Sequence, residues 1–222
     1  MNNLTLENIT IAIANSPEIL GKDKYFNSAV LVPLVEIDNK FHLLFEKRAN
    51  HIRQGGEVSF PGGEFDHKKD QGLRHTALRE TCEELGLPSE KIKILGKIGT
   101  LVAPMGVTVD AFVGLISIKS QDELSIDKNE VEKVFLVPID HFLKKKPEEY
   151  TVKLEVHPSY KDENGKNVEL LPVQKLGLPE RYSKPWKNGF HRVLVYNSAE
   201  EVIWGITAEI VFELCRMINS TK

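Results

Sequence analysis

Residues 79–88 read RETCEELGLP and lie downstream of the loop Phe60-Pro61-Gly62-Gly63, and this pairing constrains the chain more than any other stretch. At about 100° per residue, with Glu80 as origin, Glu84 falls at about 40° and Glu83 at about 300°. Leu78, Cys82 and Leu85 fall at about 160°, 200° and 140° on the same projection. The pattern predicts a helix over 70–85 with a carboxylate face and an opposite apolar face, ended by Gly86 and Pro88. Like charges three and four residues apart repel, and carboxylates in a last turn face the negative end of the helix dipole. A hard divalent cation, Mg²⁺ or Mn²⁺, reverses the sign of that arrangement. A solvated acidic face is the ordinary explanation for three glutamates alone. The Gly-Gly loop and the Arg79-Glu80 pair favour the cation.

The stretch resembles the box of the Nudix hydrolase family, G-x5-E-x7-R-E-U-x-E-E-x-G-U with U aliphatic. Gly63 matches its first glycine, and Arg79, Glu80, Glu83, Glu84, Gly86 and Leu87 match its second half in register, with Thr81 in an aliphatic slot. Fifteen residues separate Gly63 from Arg79 where the box has thirteen, and Gln71 stands in the slot of the first glutamate. Asp70, one residue earlier, is positioned to replace it. The resemblance implies an α/β fold, the Nudix-type α/β/α sandwich with a mixed β-sheet, here with a C-terminal insertion. It implies Mg²⁺ or Mn²⁺ held by Glu80, Glu83, Glu84 and the Gly63 carbonyl, and an arginine, Arg79, that braces loop and carboxylates. Glu130 matches a position that in some relatives lies near the metals and could orient or deprotonate the attacking water. An exposed strand-start glutamate is the alternative for Glu130.

Residues 43–63, LLFEKRANHIRQGGEVSFPGG, are similar to the signature of the coenzyme A pyrophosphatase branch of that family, roughly LLTxR[SA]x3Rx3Gx3FPGG. Phe45 replaces the threonine, and the Arg48-Ala49-x3-Arg53 unit is displaced by one residue. The resemblance implies substrate binding by Arg48, Arg53, Gly62 and Gly63. Arginine grips phosphate oxygens through two donors, which suits a pyrophosphate. Lys47 and His51 read as ordinary surface groups. The expected reaction is metal-dependent hydrolysis of the pyrophosphate bond of coenzyme A or acyl-CoA to 3′,5′-ADP and (acyl-)4′-phosphopantetheine. Hydrolysis of ADP-ribose, NADH or a dinucleoside polyphosphate is the alternative, and a non-catalytic nucleotide or CoA sensor is a second.

The net charge of −3 and pI of about 6.2 predict no general attraction for nucleic acid or an anionic membrane. A small-molecule substrate is the expected partner, and a homodimer is left open. The first twenty residues lack a positive n-region and carry Glu7 and Asn8, unlike a signal peptide. With two cysteines, Cys82 and Cys215, the chain reads as a reduced cytoplasmic protein. At 222 residues one domain, 1–222, is expected, large enough to bury about 70% of its unfolded surface.

Strands are expected at 28–37 and 41–47 around a turn at Asp38-Asn39-Lys40, then at 92–102, 107–118 and 131–138. Gly106 is expected to allow a turn beside the pocket. Residues 144–189 read as an irregular insertion over the pocket with one candidate strand, TVKLEV, followed by a strand at 190–197 and a helix at 206–218. Tyr182, Trp186, Phe190 and Trp204 read as core aromatics, with an adenine or pantetheine contact as the alternative.

Overall fold

The computed structural model describes residues 5–14, 19–104 and 106–221. Residues 1–4 and 15–18 of the N-terminal segment, and Met105 in the segment at 103–116, lie outside the described residues.

A short helix, α1 (Leu6–Ala14), precedes the sheet. β1 (Phe26–Ile37) and β2 (Lys40–Arg48) form the expected hairpin. Its turn is Asp38-Asn39, both at positive φ, and Ile37 pairs directly with Lys40. This is the two-residue geometry that right-twisted strands favour, so Lys40 belongs to the strand rather than the turn. Short β3 (Val58–Ser59) and β4 (Gly62–Glu64) follow, then α2 (Leu73–Leu85). β5 (Ile92–Ala103), β6 (Val107–Ile116), β7 (Val131–Pro138) and α3 (Ile139–Lys144) complete the first layer set. The sheet runs β3-β2-β1-β6-β5, with β4 on β1 and β7 on β2. The β1–β6 pairing is parallel and its other described pairings are antiparallel, which makes the sheet mixed.

Period-two alternation divides the two faces. Ala29, Leu31, Val35, Leu44, Phe112 and Ile116 meet Ala77 and Leu85 of α2. Val32, Leu43, Phe45, Val109, Ala111, Phe135 and Val137 face the other way. There they pack on Phe142 of α3 and on Ala208, Ile210, Val211 and Leu214 of the last helix, α4 (Gly205–Ser220). Helices on both faces of a mixed sheet give the expected α/β/α sandwich. Gly106, at φ +77, turns the chain into β6, and its carbonyl accepts from the Phe26 amide at 2.8 Å.

The 144–189 stretch is more regular than expected. β8 (Glu148–Val156) contains TVKLEV, and β9 (Ser159–Lys161) pairs with β10 (Asn167–Glu169). β8 also pairs antiparallel with β11 (Trp186–Asn197), which pairs with β12 (Val202–Trp204) in a second, three-stranded sheet. That partner lies some thirty residues on, so local sequence could not announce it. Two aromatics expected in the core are not there: Phe190 is 80% exposed and Trp204 46%. Leu194 and Tyr196, in the C-terminal half of β11, are buried and join the α4 cluster. Tyr182 and Trp186 stack edge-on at 5.3 Å. Among the described residues no helix is long and apolar enough to cross a membrane.

Phe45 anchors the α4-side core. It is fully buried, with ring centroids 4.9 Å from Phe60, 5.5 Å from Phe135 and 5.8 Å from Phe142. Phe45→Ala should cost about 3–5 kcal/mol of unfolding free energy, read from urea titrations.

Candidate metal and active site

Two glycines let β4 slide between β1 and α2. Gly62 pairs with Val30 and Gly63 with Ala29. A Cβ on Gly62 would meet the Ala29 carbonyl oxygen at 2.2 Å, and one on Gly63 would meet Glu80 Cδ at 2.5 Å. The Gly62 amide donates to Glu84 Oε2 at 2.9 Å. The helix begins at Leu73, three residues later than expected, because Asp70 is used outside it. Its end is as expected, with Gly86 left-handed at φ 63 and its amide on the Cys82 carbonyl.

Glu80, Glu84 and Glu130 converge, with ligand oxygens all within 4.8 Å of one another. α2 supplies two of them, and Glu130 comes from the turn entering β7, where its carbonyl accepts from the Ala49 amide at 2.9 Å. Glu84 is only 2% exposed despite its place on the expected carboxylate face, because that face turns against the sheet. Burial raises the pKa of Glu84, and Glu46 and Glu80 push it further. Burial also raises Glu80, against the lowering effect of Arg79. A divalent cation would offset a cost that otherwise favours protonation, so these oxygens fit Mg²⁺ or Mn²⁺. Glu83 stands apart: its carboxylate is 56% exposed and accepts from Arg79 Nη1 at 2.9 Å.

Arg79 is the hub of a second layer. Its Nε and Nη2 donate to Asp70 Oδ1 and Oδ2 at 2.8 and 2.9 Å, and Nη1 lies 2.8 Å from Glu80 Oε1. Asp70 thus does the bracing suggested by its place next to Gln71. Its fully buried carboxylate also accepts from Thr76 Oγ1 and from the Asp66 amide, and His75 Nδ1 lies 3.0 Å away. The guanidinium, then these neighbours, hold its pKa well below the usual carboxylate range despite burial.

Sequence reasoning missed Glu46. It lies on β2, fully buried, two residues from Leu44 and therefore on the α2 side of the sheet. Ser59 Oγ donates to its Oε1 at 2.9 Å, while Oε2 has no hydrogen-bond partner among the described residues. Burial raises its pKa, with Glu130 and Glu80 adding to the effect. The available signal was a glutamate inside an apolar strand, in phase with a core residue.

Of the expected substrate cations, Arg48 lies near this group, with Nη1 3.8 Å from Glu46 Oε1 and Nε donating to the Arg53 carbonyl at 3.3 Å. The Arg53 guanidinium instead sits over the Phe26 ring, 5.0 Å from its centroid, three residues before Ala29. Lys47 is tied to Glu201 at 3.0 Å. A further polar group was also missed. Asp110, paired across the sheet with Ala29 and Thr100, is 1% exposed and bonded to Lys22 at 2.8 Å, Lys97 and Thr100.

The NUDIX domain profile matches residues 25–160. Nudix hydrolase 3 of Caenorhabditis elegans is 37% identical over 63% of this chain and 60% of its own length. An uncharacterized Nudix hydrolase, NudL, of Photorhabdus laumondii is 30% identical over 89% of this chain and 87% of its own. The human mitochondrial coenzyme A diphosphatase NUDT8 is 36% identical over 56% of this chain and 53% of its own. The chain thus spans little more than half the length of the worm and human relatives.

Because the folded pKa of Asp70 lies below the unfolded value of about 3.9, its stabilisation is complete above that pH and is lost as pH falls. Asp70→Asn should cost roughly 3 kcal/mol at pH 7 and flatten the acid limb of the stability curve below about pH 4, as urea titrations across pH would read.

Proposed function

Since the chain belongs to the Nudix family, we propose that it is a divalent-metal-dependent pyrophosphohydrolase acting on coenzyme A or an acyl derivative. The products would be 3′,5′-ADP and (acyl-)4′-phosphopantetheine. The observation that carries the reading is the convergence of Glu80, Glu84 and Glu130 within 4.8 Å beside the Gly62-Gly63 strand. Phosphate diesters repel nucleophiles, so catalysis rests on positioning and charge neutralisation. Mg²⁺ or Mn²⁺, when bound, would acidify a water and stabilise the leaving phosphate.

The chain's own groups divide the remaining work. Glu80, Glu84 and Glu130 hold the cation, with the Gly63 carbonyl as a candidate ligand. Glu83, at the exposed end of the helix face, keeps Arg79 in place. Arg79, braced by Asp70, orients Glu80. Arg48 supplies the phosphate contact nearest the carboxylates, and Arg53 acts further out along β1.

Support for coenzyme A comes from residues 43–63 and from a human relative named as a coenzyme A diphosphatase. The same metal group would serve for ADP-ribose, NADH or a dinucleoside polyphosphate. A pure sensor would have no use for three converging carboxylates. Free Cys82 and Cys215 accord with a reducing cytoplasm.

Purified protein with Mg²⁺ or Mn²⁺ should release 3′,5′-ADP from coenzyme A faster than it cleaves ADP-ribose, NADH or diadenosine polyphosphates, by chromatography and mass spectrometry. Preference for another diphosphate would remove the coenzyme A assignment alone. Glu84→Gln should lower kcat at least about 100-fold with the fold retained by circular dichroism; unchanged turnover would remove the metal assignment.

A further inference from the structure

We propose that Glu46 belongs to the metal centre as a positioning residue, its Oε2 accepting a hydrogen bond from a water retained by the bound cation. The inference rests on the reading that Glu80, Glu84 and Glu130 hold that cation. Glu46 is fully buried on β2, and its Oε2 finds no donor among the described residues, which for a carboxylate oxygen in such a place is a substantial cost. Its other contacts do not relieve that cost. Ser59 Oγ donates to Oε1, and the guanidinium of Arg48 lies nearest the same oxygen. Alternation along β2 puts the Glu46 carboxylate on the same side of the sheet as Leu44 and α2, where Glu84, Glu80 and Glu130 are its electrostatic neighbours.

Glu46 is not one of the three glutamates whose oxygens lie within 4.8 Å of one another, so the role proposed for it is that of a neighbour and not of a direct ligand. Mg²⁺ and Mn²⁺ dehydrate reluctantly and keep waters whose protons need acceptors. Ser59 fixes the carboxylate orientation in the way that outer partners of a metal site fix its inner ligands.

The test is Mn²⁺ affinity of the full chain, measured by electron paramagnetic resonance of free Mn²⁺, alongside melting temperatures in EDTA. Glu46→Gln keeps the acceptor for Ser59 and should weaken Mn²⁺ binding about 10- to 100-fold without lowering the melting temperature in EDTA. Unchanged affinity in a folded variant would overturn the role of Glu46 and leave the metal site standing. Failure of the wild-type chain to bind Mn²⁺ would overturn the metal reading itself, and this inference with it. Should the glutamine variant melt early in EDTA, Glu46→Met, which needs no donor, carries the same two outcomes.

Discussion

Carboxyl groups held inside an apolar interface are the condition around which this fold is arranged. Glu84 and Glu46 occupy the layer between α2 and the sheet, among Ala29, Leu44, Ala77 and Leu85. A carboxylate there is costly unless it is hydrogen-bonded or neutralised. The Gly62 amide and Ser59 hydroxyl each satisfy one oxygen. Close approach of β4 is what brings that amide within reach, and only glycine tolerates the 2.2 Å that a Gly62 Cβ would leave to the Ala29 carbonyl. The Gly-Gly pair is thus a packing requirement of the charged layer as much as a loop signal.

Arg79 solves a different problem. Its bidentate bond to Asp70 ties the loop to α2 from outside the first turn, while its remaining nitrogen spans Glu80 and Glu83. The longer spacing between Gly63 and Arg79, and Gln71 in place of a glutamate, therefore do not remove the brace. One residue's displacement in sequence is absorbed by the loop because Asp70 lies before the helix and is free to turn toward it.

What could be read from sequence depended on range. The helix, its glycine stop and the hairpin follow from periods of 3.6 and 2 and from Asp38-Asn39, all local features. Glu80 and Glu84 were legible for the same reason. Their different burial was not, since it depends on which flank of the helix meets β1 and β4. Glu130 could be suggested only by resemblance, because its approach to α2 is tertiary. Glu46 was hidden by its context: a charged residue within LLFEKR reads as strand surface until the face shared with Leu44 is assigned. The β8–β11 pairing was illegible because nothing near TVKLEV marks its partner.

The distribution of positive charge also bears on the order of events at the site. Two arginines beside these carboxylates already face acidic partners: Arg79 faces Asp70, Glu80 and Glu83, and Arg48 lies beside Glu46. On the proposed reading, a diphosphate approaching the carboxylate cluster without a cation would be repelled by it, and Arg48 and Arg53 alone would have to offset that repulsion. A divalent cation held by Glu80, Glu84 and Glu130 would change that balance by neutralising the carboxylates and attracting phosphate. On the proposed reading, cation binding comes before productive substrate binding, and the buried glutamates set the strength of the first step while the arginines shape the second.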